Sequence, residues 1–466
     1  MRYYGESSGK RGNGGRTMNA EKKHFSGGVS TPLRDFIDQY CAKKPCRFHM
    51  PGHKGQLFAG GEPYDITEID GADVLSDPTG IIAASEENAR SLFGSGQTCY
   101  GTEGSSQMIK AMLYLISCGE KEPVVLAARN VHQAFVQGCA LNDLTVEWLY
   151  PRKWTSLCSC LVTAGDLRQC LTARNKKPAA VYITSPDYLG NCQDVAGLAA
   201  VCREFEVPLL VDNAHGAYLR FLPNEPHPIR QGAFLCCDSA HKTLPVLTGG
   251  AYLHLSASAA EKLGKRVKQS LALFGSTSPS YLVLRSLDCC NGYLADGYQE
   301  KLQRRVLELF ALKRRLRQKG YSFLSGDPLK LTLEKVDGRR LATRLRREGI
   351  YCEYADDDFL VFMVTPETPA ADLYRLEKVL AEIPSKKRER VLPPLPKMER
   401  VLSIRQAIFS PWEWVLTEKA VGRICAAPSV HCPPAVPIAV SGERISAEAL
   451  TWFRFYGIER VAVLCD

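Results

Sequence analysis

Short apolar runs recur through the first half of the chain, each closed by polar or glycine-rich residues. They are Val124-Val-Leu-Ala, Ala180-Val-Tyr-Ile-Thr, Val207-Pro-Leu-Leu-Val-Asp and Ala233-Phe-Leu-Cys-Cys. Runs of this length between breakers predict strands buried on both faces. Between them the apolar spacing becomes that of a helix, as in Val195 to Phe205 and in the stretch carrying Met108, Met112 and Leu115. Farther along, Leu302, Val306, Leu309 and Phe310 make an apolar stripe on a helix whose basic residues, Arg304 to Arg317, predict a solvated face. Strands alternating with helices predict an α/β fold: a mainly parallel sheet with helices on both faces. Ligands of such sheets bind beyond the carboxyl ends of the strands, so the residues that close the apolar runs are where chemistry is sought.

At 466 residues the chain can bury a large core and divide into two or three domains. The expected division is a major domain over 29–320, a smaller α+β domain over 321–383 that closes over the site, a linker over 384–399 and a C-terminal domain over 400–466. Residues 1–28 are rich in Gly, Ser, Lys and Arg without an apolar core, and predict a disordered extension rather than a signal peptide. No apolar run approaches membrane-span length. The 18 cysteines include no CxxC pair, and many lie inside apolar runs. That pattern predicts reduced, buried thiols in a cytoplasmic protein, not a disulfide framework or zinc ribbon. The net charge of +9 is dispersed, so no nucleic-acid partner is expected. His49 and His53 have helical i,i+4 spacing, but Pro51-Gly52 between them argues against a regular helix, and no metal site is expected.

One apolar run ends in Asp212-Asn-Ala-His215. The next is followed by Ser239-Ala-His241-Lys242. An acid at one strand end and a lysine just beyond the next are what a pyridoxal phosphate (PLP) site requires. The lysine amine condenses with the cofactor aldehyde, and the carboxylate keeps the ring nitrogen protonated so that the ring can accept electrons. Taken singly, the lysine reads as a surface residue and the aspartate as a helix cap. Tyr100-Gly-Thr-Glu-Gly-Ser105-Ser106, opening a helix, offers N–H groups and hydroxyls to a phosphate. A serine N-cap with nothing bound is the alternative there.

These residues belong to an ordered series of motifs: Pro51-Gly-His-Lys-Gly55, Asp77-Pro-Thr-Gly80, Arg129-Asn-Val-His132, Thr184-Ser-Pro-Asp-Tyr188, Asp212 to Ala217, Ser239 to Leu247 and Ser276 to Tyr281. The series resembles the Orn/Lys/Arg decarboxylase family of fold-type-I PLP enzymes. The resemblance implies decarboxylation of arginine, lysine or ornithine to an amine that feeds polyamine synthesis, by a homodimer or higher oligomer. It implies that Lys242 carries the cofactor, that Asp212 pairs with its ring nitrogen and that His132 stacks on the ring with Ala214 on the opposite face. Ser239 joins Ser105 and Ser106 at the phosphate, and Thr277 reaches the phosphate of a neighbouring subunit. His241 is a candidate for positioning the carboxylate or returning a proton to Cα, and His215 lines the site. Glu353-Tyr-Ala-Asp356 matches an acidic segment that could face the distal cation of the substrate, with a solvated turn as the alternative and Glu443 as the next candidate. The chain departs from the family at Asn213, where Glu is usual, in the Gly-Thr-Glu-Gly-Ser-Ser loop, at Ala435 and at Ser441. Aminotransfer, aldol cleavage and a catalytically silent PLP-fold binding protein stay open as alternatives.

Overall fold

A computed structural model describes residues 28–153, 155–384, 392, 393, 395, 397–427 and 437–465. The expected extension over 1–28, apart from its last residue, much of the 384–399 linker and Ala435 lie outside the described residues.

Seven strands form the main sheet: β1 (Gln97–Gly101), β2 (Val124–Ala128), β3 (Thr145–Leu149), β4 (Ala180–Thr184), β5 (Leu209–Asp212), β6 (Leu235–Asp238) and β7 (Ala251–Leu255). Their order is β1-β7-β6-β5-β4-β2-β3. β7 pairs antiparallel with β1 and β6, and the remaining pairs are parallel. The four apolar runs of the sequence are therefore β2, β4, β5 and β6, side by side at the centre. Successive residues alternate between two separate apolar layers, as the pleat requires. Val125, Tyr182, Leu210 and Leu235 point into one layer, and Leu126, Val181, Leu209 and Cys236 into the other.

Two smaller groups follow. β8 (Ser322–Phe323), β9 (Lys330–Glu334), β10 (Tyr354–Ala355) and β11 (Phe359–Met363) form an antiparallel sheet ordered β10-β11-β9-β8. β12 (Trp412–Leu416) and β13 (Arg460–Leu464) pair antiparallel near a cluster built on Trp452 and Phe453.

The basic helix, Tyr298–Gln318, departs from its expected stripe. Leu302, Leu309, Leu312 and Leu316 are buried, whereas Phe310 is 61 % exposed. Arg305 and Lys313 lie on the buried face too. The Arg305 guanidinium donates to the Pro366 and Thr368 carbonyls at 3.2 and 2.6 Å, which makes its burial tolerable. The cysteines of the described residues are free thiols. Among those residues no helix is long and apolar enough to cross a membrane.

Candidate active site

β5 and β6 are neighbours in register, with Asp212 opposite Cys237, so the turns that leave them emerge together. After β5 the chain turns through Asn213, Ala214, His215 and Gly216. The Asp212 carboxylate stays at the strand end, 2 % exposed, and accepts the Ala214 N–H at 3.1 Å. After β6, Ser239 precedes a single helical turn, Ala240–Thr243, that carries His241 and Lys242. The two turns meet where Lys242 Nζ lies 3.2 Å from His215 Nε2. Burial pushes the Lys242 amine below its usual pKa, and the charges of Asp212 and Glu353 oppose that push. His215 is driven well below its usual range by burial and then by the positive charges of Lys330 and Lys242.

The parallel neighbours complete the wall. Thr184, at the end of β4, pairs in register with Asp212. His132, four residues beyond the end of β2, caps helix Gln133–Leu141 by accepting the Ala134 N–H at 3.1 Å. Burial lowers its pKa, and the nearby Asp212 charge raises it. Beyond β1, helix Gly104–Ser117 begins without a side-chain cap. Ser239 Oγ donates to Ser105 Oγ at 2.8 Å. The loop before this helix is drawn in by Gly104 N–H bonding the Gly249 carbonyl at 2.8 Å. Gly249 has φ +101°, and a Cβ there would collide with the Thr102 carbonyl oxygen, so this approach requires glycine. His241 Nδ1–H donates to the Gly250 carbonyl at 3.0 Å, which leaves Nε2 as the free ring nitrogen.

This donor set fits PLP. Uncapped N–H groups of a helix start lie with the hydroxyls of Ser105, Ser106 and Ser239, which is anion-binding chemistry. At the strand ends the buried Thr184 Oγ1 and His215 Nδ1 have no hydrogen-bond partner within the chain. Buried polar atoms are normally paired, so these two atoms suit a bound polar group. Lys242 would supply the amine and Asp212 the carboxylate. Thr277 is exposed on the loop between helices Ala257–Ala272 and Tyr281–Ala295.

The acids expected for the substrate separate. Glu353 is exposed, its Oε1 accepts the Tyr188 hydroxyl at 2.7 Å, and its charge reaches Lys242. Asp356 is buried and spends its carboxylate on its own turn, accepting from Tyr354 Oη (2.7 Å), Asp358 N (2.8 Å) and Phe359 N (2.7 Å). Glu443 is buried against Arg129 Nη2 (3.1 Å) and Val440 N (2.7 Å), beside a cavity of about 530 Å³ between β3 and residues 398–404.

Asn213 has a structural reason to be an amide. Its Nδ2 donates to Asp238 Oδ1 at 2.6 Å, while Asp238 Oδ2 accepts His227 Nε2 (2.9 Å) and His254 Nε2 (3.2 Å). Burial alone would raise the Asp238 pKa, but the two imidazoles hold it below the usual range. A carboxylate at position 213 would face this anion directly. Among the described residues, His227, Asp238 and His254 are the one group with metal-ligand spacing, and their ligand atoms are already bonded to one another. Two site residues carried no role in the sequence reading: Tyr188, which lies inside a quoted motif, and Lys330. A lysine within the apolar alternation Leu329-Lys-Leu-Thr-Leu was the available signal.

Comparison with known proteins agrees with the fold and with PLP chemistry. Residues 31–325 match the family described as Orn/Lys/Arg decarboxylase, major domain. A protein of Bacillus subtilis named uncharacterized protein YaaO is 28% identical over 91% of this chain and 93% of its own length. An arginine decarboxylase of the same organism is 26% identical over 91% and 92%. Among solved structures, the lysine decarboxylase LdcF of Francisella novicida superposes with a TM-score of 0.77, at 18% identity, over 94% of this chain and 79% of that one. The chain belongs to the Orn/Lys/Arg decarboxylase family and is a fold-type-I, PLP-dependent amino-acid decarboxylase.

Proposed function

We propose that the protein decarboxylates a basic amino acid, arginine first among the three, and that its amine product enters polyamine synthesis. The observation that carries the substrate charge is Glu353, held by the Tyr188 hydroxyl within electrostatic reach of Lys242. Relatives that align over about nine-tenths of this chain are named arginine decarboxylases, which favours the guanidinium. A carboxylate with one oxygen bonded to a hydroxyl keeps the other for a planar N–H pair.

In this reading PLP, when bound, supplies the electron sink for the bond between Cα and the departing carboxylate. Lys242 would hold the cofactor, and its amine, when not so engaged, would carry a proton. Asp212 holds the ring nitrogen's proton through a buried carboxylate already oriented by Ala214 N–H. Ser105, Ser106, Ser239 and the first N–H groups of helix Gly104–Ser117 hold the phosphate. His132 and the small Ala214 bracket the ring. His241, pinned through Nδ1 to Gly250, presents Nε2 to return a proton to Cα after CO₂ leaves. His215 stays uncharged beside Lys242 and fixes where its amine sits. Asp356 and Glu443 support the structure around the site, and Glu353 reads the distal cation. The working unit is a cytoplasmic homodimer, with the exposed Thr277 loop available to a second subunit's phosphate. The proposed units are 29–320, 321–383 and 400–466, the second closing over the first.

The test is CO₂ release from arginine, lysine and ornithine by purified protein with added PLP. Arginine is expected to give the highest kcat/KM. Keto-acid formation without CO₂ from all three would replace this reading with aminotransfer.

A further inference from the structure

Lys330 opens β9 and is 3 % exposed, an unusual place for an ammonium group. Its Nζ donates to the main-chain carbonyls of Asp187 (2.8 Å) and Tyr188 (3.2 Å), in the turn that follows β4. Two neighbours reinforce the same seam. Thr332 Oγ1 donates to the Leu189 carbonyl at 2.8 Å, and Asp327 N–H to the Gly190 carbonyl at 2.8 Å. Tyr188, held in this way, carries two contacts into the site. Its ring meets His215 edge-on, with centroids 5.2 Å apart and planes at 73°. Its hydroxyl bonds Glu353 at 2.7 Å. Lys330 grips the Tyr188 end of this seam and thus supports both the imidazole beside Lys242 and the acid proposed to read the substrate.

We propose that Lys330 is a positioning residue, which sets substrate affinity by fixing Tyr188 against His215 and Glu353. The proposal rests on Glu353 reading the distal cation. The charged and titratable groups around Lys330 are Asp327, Asp187, Lys242, Cys192 and His215. Burial pushes the Lys330 amine below its usual pKa, the charges of Asp327 and Asp187 oppose that push, and its positive charge adds to the burial that keeps His215 neutral.

A cycle of Lys330→Met, Tyr188→Phe and the double variant tests this, with Thr332→Val as a control that cuts the same seam without touching Tyr188. Melting temperature, KM and kcat for arginine are measured on each holoenzyme. Lys330→Met is expected to raise KM about tenfold, a coupling of ordinary size for residues in one network. In the Tyr188→Phe background the same change is expected to raise KM about threefold or less, because the path to Glu353 is already cut. Thr332→Val is expected to lower the melting temperature with little change in KM. If the two substitutions add fully, or if KM follows melting temperature in all variants including Thr332→Val, the proposal fails. Should Lys330→Met not fold, Lys330→Arg enters the same cycle under the same criterion. No CO₂ from any basic amino acid would overturn the functional reading. The positioning role would then be decided by the pH midpoint of the cofactor's visible band. Lys330→Met is expected to shift that midpoint by about half a unit or more, and by clearly less in the Tyr188→Phe background; an equal shift in both backgrounds, or none in either, overturns the role.

Discussion

Lys242 can act as a nucleophile only with its amine uncharged, and burial supplies that bias while Asp212 limits it. Lys54, the other lysine that follows a histidine in a family motif, is exposed and bonds the His49 carbonyl at 2.6 Å. Lys242→Ala is therefore expected to remove the borohydride-sensitive visible band and turnover together, and Lys54→Ala to leave the band intact. Absorbance spectra of the two variants with added PLP check this. Asp212→Asn keeps the shape and the Ala214 hydrogen bond but not the charge. The cofactor should still bind, with kcat lowered by about 10²-fold or more, the scale of losing one preorganised electrostatic partner. Single-turnover CO₂ release measures it, and near-normal rates would remove Asp212 from its role.

At the scale of elements, the hairpin from β10 to β11 holds two acids of different use. Glu353 stands before it with one oxygen engaged, while Asp356 closes it with three local hydrogen bonds. Glu353→Gln is expected to raise KM for the best basic substrate about tenfold with little change in melting temperature, since the acid is exposed. Asp356→Asn should do the reverse, costing about 1–3 kcal/mol of stability because a buried acceptor becomes mispaired. Thermal melts and steady-state kinetics on both variants separate the two. In sequence these acids are alike because they share a motif, and only the fold of the hairpin distinguishes them. The juxtaposition of Lys242 and Asp212 was legible because they follow or close neighbouring strands, β6 and β5. Lys330 was not, because its partners lie more than 140 residues away. The basic helix Tyr298–Gln318 misled at Phe310 because its core face is set by leucines farther along, and by carbonyls that receive Arg305.

Across the whole molecule, buried acids tie distant segments together. Glu443 joins the C-terminal unit to Arg129 beyond β2. Asp288, in helix Tyr281–Ala295, accepts the Arg34 N–H at 2.9 Å and the Ser85 hydroxyl at 2.5 Å. It thereby supplies the acceptor that the start of helix Pro32–Ala42 lacks, since Thr31 makes no capping bond. Burial raises the Asp288 carboxyl from 3.8 to about 6, against the pull of those donors. The folded protein therefore binds this proton more tightly than the unfolded chain does. The resulting stabilisation is complete below the unfolded value near 3.8 and disappears as pH rises through about 6. Its full size is about 3 kcal/mol, from two pKa units of difference. Asp288→Asn removes the titration but keeps an acceptor for Arg34. Its melting temperature should fall furthest below that of the wild type near pH 4 and draw level with or exceed it by pH 7. Parallel melting curves across that range would show that Asp288 does not titrate with folding.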